Sequence, residues 1–167
     1  MIDSHCHLDP GVYGGDDGVD AVVARAHAAG VSRMLAVGSG YGFASAQRAL
    51  DVARRHPEVR CSVGLHPHDA KEATDAALVE LFALSAAPEV LALGEMGLDF
   101  HYDSSPRDVQ RVVFRAQLQA ARTLNLPVII HDRETEGETL RILDEEQAWS
   151  TGVLSKSSAS PSARSAA

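Results

Sequence analysis

Nowhere does the chain hold the roughly 18 consecutive apolar residues that a membrane-spanning helix needs. Its N-terminus also lacks the basic stretch and apolar run that mark an export signal. Neither insertion nor secretion is indicated, and the expected location is the cytoplasm. Cysteine is scarce: Cys6 and Cys61 are the only two, and without an export signal they read as reduced thiols rather than a disulfide. Positive charge is short as well. Fifteen Lys and Arg stand against 23 Asp and Glu, a formal net charge of −8, and no basic patch stands out. That disfavours a module that holds nucleic acid by counterion release alone. For a phosphodiester substrate, bound cations would have to supply much of the attraction.

What the chain does have is apolar content and order. At 167 residues and 45% hydrophobic it suits one globular domain. Short apolar runs at 2–8, 33–38, 59–64, 90–94 and 127–131 alternate with helical patterns at 19–30, 43–56, 73–84, 105–125 and 135–147. The runs start about 30 residues apart, the repeat of a βα unit. Near-continuous apolar strands such as that before His131 imply burial on both faces, hence a parallel sheet covered by helices. Gly30 closes the first long helix, and Ser105 with Pro106 reads as a cap and first-turn pair for the fourth. Val109, Val112, Val113, Gln117, Ala120, Ala121 and Leu124 would form the sheet-facing stripe of that helix.

An open doubly wound sheet and a (β/α)8 barrel both fit this pattern, and the polar residues separate them. The stretch IDSHCHLD puts His5 and His7 two apart, on one face of a strand, where both imidazoles can meet one ion. Asp3 and Asp9 share their parity, and Cys6 faces away. GLHPHD brings His66 and His68 to the third strand end, GEMGLDFHYD brings Glu95 to the fourth, and HDRE brings His131 to the fifth. Chemistry at several successive strand ends is the pattern of a barrel's active face, whereas an open sheet gathers its ligands at one switch point. Glu95 between glycines can bridge two divalent cations, and the imidazole-rich set suits Zn or Mn better than an all-oxygen shell. His66, in a stiff turn at the mouth, reads as a substrate contact or a piece of loop architecture. Asp99 reads as a loop tie or a partner that orients a ligand, and His68 and His101 as loop residues.

These motifs, IDSHCHLD, GLHPHDA, LALGEMGLDFHYD and PVIIHDRE with the helix QRVVFRAQLQAARTLN between the last two, resemble those of the TatD-type metal-dependent deoxyribonucleases. The resemblance spans residues 1–154 and implies a TIM barrel of which five βα units and the start of a sixth strand are present. It implies two divalent ions, Mg, Mn or Zn, with His5 and His7 on the first, Glu95 bridging both and His131 on the second. Catalytic roles fall to Glu95 and His66. The substrate would be DNA, single-stranded or with a free 3′ end.

The match breaks at Ser155, which stands where the family motif GVLHxFSG carries a histidine. Residues 155–167, nearly all Ser, Ala, Pro, Lys and Arg, read as a disordered, non-family tail of the kind a truncation or frameshift leaves. A barrel of this type takes about 250 residues, so impaired turnover and self-association through open sheet edges are expected. Two other readings stay open: an amide, ester or lactone hydrolase on the same scaffold, and an inactive metal-binding fragment.

Overall fold

A computed structural model describes residues 1–157 and confirms the βα alternation. Six parallel strands, β1 (Ile2–Cys6), β2 (Arg33–Gly38), β3 (Val59–Val63), β4 (Val90–Asp99), β5 (Val128–Arg133) and β6 (Val153–Ser157), pair in sequence order. The helices are α1 (Pro10–Tyr13), α2 (Asp16–Ala28), α3 (Ser45–Arg55), α4 (Asp75–Leu84), α5 (Arg107–Leu124) and α6 (Glu138–Glu145). The sheet curls into an open half-barrel whose edges are β1 and β6. Ser155 continues β6 opposite Ile130. Positions 158–167 of the expected tail lie outside the described residues.

One apolar core fills the space between the sheet's outer face and the helices. Met34, Ala36, Val59, Cys61, Val63, Val128 and Ile130 face it from the strands, and Leu50, Phe114, Leu118 and Ile142 from the helices. The alternate residues Leu35, Val37, Ala92 and Ile129 form a second cluster on the concave face. This is the two-sided burial of a parallel sheet. Ile2, Leu91 and Leu154 are left substantially exposed.

Two details of α5 differ from expectation. Its buried stripe is Gln110, Val113, Phe114, Gln117, Leu118 and Ala121, while Val112 and Leu124 face solvent. Ser105 does not cap the helix, which begins after Pro106 without a side-chain cap. The Ser105 hydroxyl is engaged elsewhere: it donates to the His68 carbonyl at 2.7 Å and accepts from the Lys71 N–H at 3.1 Å. It thereby ties the start of α5 to the 3-10 turn Pro67–Glu72.

Candidate metal centre

The strands deliver their polar residues through breaks in register. Along β1 and β2, Asp3 pairs with Met34 and Cys6 with Ala36, so three steps on one strand face two on the other. The extra residue breaks the alternation around His5, and Asp3 turns back to accept the His5 N–H at 3.1 Å. On β4, Gly94 pairs with Ile129 and Met96 with Ile130, which leaves Glu95 as the inserted residue. Its N–H donates to the buried Ser39 hydroxyl at 3.1 Å instead of to a ladder carbonyl. Bulges of this kind re-aim side chains, and here they send His5 and Glu95 into one cleft. Gly97 makes room for the fifth-strand histidine: a Cβ there would lie 2.0 Å from the His131 carbonyl oxygen, and its φ of +145° is one that side chains rarely adopt.

Glu95, 3% exposed, is shared between two groups of donors. Its Oε2 lies 3.5 Å from His5 Nε2, and His7 joins them, one donor from each residue within 4.8 Å of the others. Its Oε1 lies 3.3 Å from His131 Nδ1, which in turn is 3.2 Å from His66 Nε2. Five of the residues singled out in the sequence, His5, His7, His66, Glu95 and His131, thus converge. Asp3 and Asp9 do not. Asp9 caps α1 through the Gly11 N–H and pairs with Arg48 at 2.7 Å.

The spacings fit ions better than hydrogen bonds. Donors 2.0–2.2 Å from a common tetrahedral ion stand about 3.3–3.6 Å apart, whereas a charge-assisted N–H···O bond is about 2.7–2.9 Å long. The His5–Glu95 and His131–Glu95 separations fall in the first range, and His5 Nε2 is buried without a hydrogen-bond partner. Burial works to raise the Glu95 pKa, but the imidazoles of His131 and His5 outweigh it, so the carboxyl is held well below its usual range. Glu95 therefore stays anionic.

Beside this pair of groups lies a bracket of ordinary hydrogen bonds centred on Asp99, a fully buried residue. Its Oδ1 accepts the N–H groups of His101 and Tyr102, each at 3.0 Å. Its Oδ2 lies 2.8 Å from His68 Nε2 and 2.9 Å from His131 Nε2. Burial raises the Asp99 pKa, yet the Tyr102 N–H and the two imidazoles bring it down to about 2. A proton on His131 Nε2 leaves the Nδ1 lone pair pointing toward Glu95, the carboxylate–histidine arrangement common around bound metals. Burial lowers the His131 pKa, but hydrogen bonding to Glu95 and Asp99 leaves it raised. His66 is the reverse: burial first, then His131, depress it to about 3. Its Nδ1 accepts the His68 N–H at 3.2 Å, so the neutral ring carries its proton on Nε2.

Several supporting contacts were not foreseen from the sequence. Gln117 on α5 clamps the strand end ahead of His66, its Oε1 accepting the Leu65 N–H at 2.8 Å and its Nε2 donating to the Leu65 carbonyl at 3.0 Å. Gln110 holds the Asp99 N–H and carbonyl in the same way. Only their burial on an apolar stripe could have flagged them. His68, read as a loop residue, is held by Asp99, whereas His101 is the half-exposed partner of Glu134 that a loop residue would be. Tyr41, Tyr102 and Arg133 line the cleft, whose volume is about 360 Å³. The two cysteines are free, as expected; Cys6 Sγ donates to the Leu35 carbonyl at 3.3 Å.

Comparison with known proteins turns the resemblance into membership. The family model described as TatD related DNase matches residues 2–163. The chain belongs to the TatD-related DNase family. A Bacillus subtilis metal-dependent hydrolase, YabD, is 38% identical over 154 residues, covering 92% of this chain and 59% of that protein. The 3′-5′ ssDNA/RNA exonuclease TatD of Salmonella typhimurium is 42% identical over 125 residues, covering 75% and 47%. The crystal structure of the Escherichia coli TatD homologue YJJV superposes with a TM-score of 0.82 at 32% identity, over 96% of this chain and 61% of that one. The half-barrel is thus part of a TatD-type TIM barrel, and the chain spans about half to three-fifths of the length of these relatives. Among the described residues no helix is long and apolar enough to cross a membrane.

Proposed function

We propose that the site hydrolyses phosphodiester bonds of single-stranded DNA with the help of two divalent cations. One would be held by His5, His7 and Glu95, the other by Glu95 and His131. The observation that carries this reading is the division of the Glu95 carboxylate, one oxygen toward His5 and the other toward His131. Cations bound there supply the positive charge that attracts and polarises a phosphodiester and that acidifies water. The mostly imidazole donors favour Zn or Mn over Mg. TatD of Salmonella typhimurium, named for its action on ssDNA and RNA, supports the substrate class.

The chain's own groups then have distinct tasks. Asp99 fixes the His131 ring through its Nε2. His66 is a catalytic contact: the His68 N–H bound to its Nδ1 leaves its Nε2 as the donor, 3.2 Å from His131 Nδ1 at the second donor group, where it would meet a phosphoryl oxygen held there. Ser39 and the bulge hold Glu95 between the two donor groups.

Ser155 offers a hydroxyl, not an imidazole, beside His5 in the cleft that both line. We therefore expect the 167-residue polypeptide to turn over at least about 100-fold more slowly than one with a fuller ligand shell, since an active site loosened by about 1 Å loses that much. Among the described residues β1 and β6 are the edge strands and expose Ile2 and Leu154, which favours self-association.

Calorimetric titration of the metal-stripped chain with Zn or Mn tests the core of this reading. Two ions per chain are expected, with both sites weakened in Glu95→Gln, and metal-dependent nucleotide release from single-stranded DNA but not lactone hydrolysis. A Glu95→Gln chain that binds two ions like the wild type would overturn the reading. A chimera continued beyond Leu154 with the corresponding Bacillus subtilis residues tests the rate claim, and equal rates would refute it.

A further inference from the structure

We propose that Tyr41 and Tyr102 are stacking platforms for unpaired bases at opposite ends of the cleft, with Arg133 beside Tyr102 as a phosphate contact. The inference rests on the phosphodiesterase reading and adds how the substrate is recognised. Single-stranded nucleic acid would be held by its bases, without regard to sequence.

Both tyrosines line the cleft and both are open to solvent, 45% for Tyr41 and 56% for Tyr102. Each stands edge-to-face against a histidine of the site, but on different flanks. Tyr41 meets His7 at 5.8 Å between ring centroids and 84°, on the side of His5 and Glu95. Tyr102 meets His68 at 5.4 Å and 87°, on the side of Asp99 and His131. The two rings therefore bracket the reactive centre, where the nucleosides on either side of a phosphodiester held there would lie.

Neither ring sits on a loose loop. Tyr41 lies between Gly40 and Gly42, whose φ values of +89° and +78° make the tight turn. Its carbonyl accepts from Arg48 Nη2 at 3.0 Å, and Arg48 is itself locked to the buried Asp9. On the far side, the Gly42 N–H donates to Asp69 and the Phe43 N–H to Glu72, at 3.2 and 3.0 Å. The Tyr102 N–H is fixed by Asp99, and the Tyr102 ring packs at right angles to His101 at 4.6 Å. The Arg133 guanidinium lies 4.6 Å from the Tyr102 ring centroid, which gives this platform a cation next to an aromatic surface.

The charge balance explains why stacking would matter here. A chain of net charge −8 repels a polyanion, and among the residues lining the cleft Arg133 is the sole Lys or Arg. Stacking on an aromatic ring is worth about 1–3 kcal/mol per base and depends on no base identity. Two rigidly presented rings can thus supply the affinity that a basic groove gives other single-strand binders.

The test measures equilibrium binding by fluorescence anisotropy, with and without Mn. The probes are a 5′-labelled oligothymidylate and an equal-length strand with abasic residues, and the proteins are wild type, Tyr41→Ala, Tyr102→Ala and the two Tyr→Phe variants. The wild type should prefer the strand with bases. Each alanine variant should weaken that binding about 5- to 150-fold while leaving abasic binding unchanged, and phenylalanine should restore it. Equal wild-type affinity for both strands, alanine variants that bind like wild type, a loss that phenylalanine does not repair, or no binding of either strand would each overturn the proposal. Failure of the hydrolytic reading appears separately, as wild-type protein that binds the strand with bases but releases no nucleotide with any metal.

Discussion

Replacing Asp99 by Asn keeps the size of the side chain and removes one acceptor from a bracket that uses both oxygens. In the native protein Oδ1 serves two backbone N–H groups and Oδ2 serves His68 and His131. An Asn side chain can serve only one of these pairs through its oxygen and must present an NH2 group to the other. If the NH2 met the His101 and Tyr102 N–H groups, two buried donors would be left unsatisfied at about 1–3 kcal/mol each. The cheaper arrangement turns the NH2 toward the imidazoles, which can change tautomer and accept. For His131 this moves the ring proton from Nε2 to Nδ1, where it meets Glu95 Oε1, now 3.3 Å away.

The two consequences differ in size. The metal-free protein loses the charge-assisted bonds but regains neutral ones, a net cost of about 1–3 kcal/mol. The proposed ligand atom of His131, however, becomes a donor, and binding an ion there first requires the ring to revert. Loss of such a partner typically costs 10- to 100-fold in metal affinity. Urea unfolding of the stripped protein, calorimetric titration with Zn, and nitrogen-15 spectra of the imidazoles measure the three quantities independently. Affinity within twofold of wild type, together with an unchanged His131 tautomer, would refute this account of Asp99.

Other expectations follow from equally specific contacts. Gln117→Leu fills the same space but strips the Leu65 N–H and carbonyl of their buried partners, so a loss of about 2–5 kcal/mol in urea unfolding is expected, and unchanged stability would contradict the clamp. Gly97→Ala should destabilise the protein and displace His131, because the added Cβ meets the His131 carbonyl; a weakened Zn affinity on titration checks it. Burial, then Glu89, pushes the Cys61 thiol up to about 12 from 9.0. Above pH 9 the unfolded chain therefore ionises this thiol while the folded chain does not. Stability should fall with rising pH by up to about 1.4 kcal/mol per unit from this group, and Cys61→Ala should flatten that slope.

The sequence revealed the architecture better than the aim of the side chains. Runs of Val, Ile, Leu and Ala separated by helical stripes marked five of the strands, since burial on both faces leaves a pattern that few other elements share, and the family resemblance added the start of the sixth. It also marked His5, His7, His66, Glu95 and His131, because a lone polar residue at the end of an apolar run stands out. It missed that β4 does not stop at Gly94. The strand continues to Asp99 through GEMGLD, a stretch whose glycines and acids argue against a strand by propensity. Pairing with β5 and the bracket around Asp99 override that preference.

Period-two counting failed at the site for a related reason. Counted along an ideal strand, Asp3, His5, His7 and Asp9 would point the same way. The register break between Asp3 and Cys6 removes that equivalence: Asp3 folds back onto the His5 N–H, and Asp9 leaves the sheet to cap α1 and hold Arg48. The same device operates at Glu95, which no alternation rule could aim because it is the residue the ladder skips. A bulge gives up a ladder hydrogen bond, here compensated by the Ser39 hydroxyl on Glu95 and the Asp3 carboxylate on His5. The irregularities that defeat a reading by periodicity are therefore the features that assemble the site.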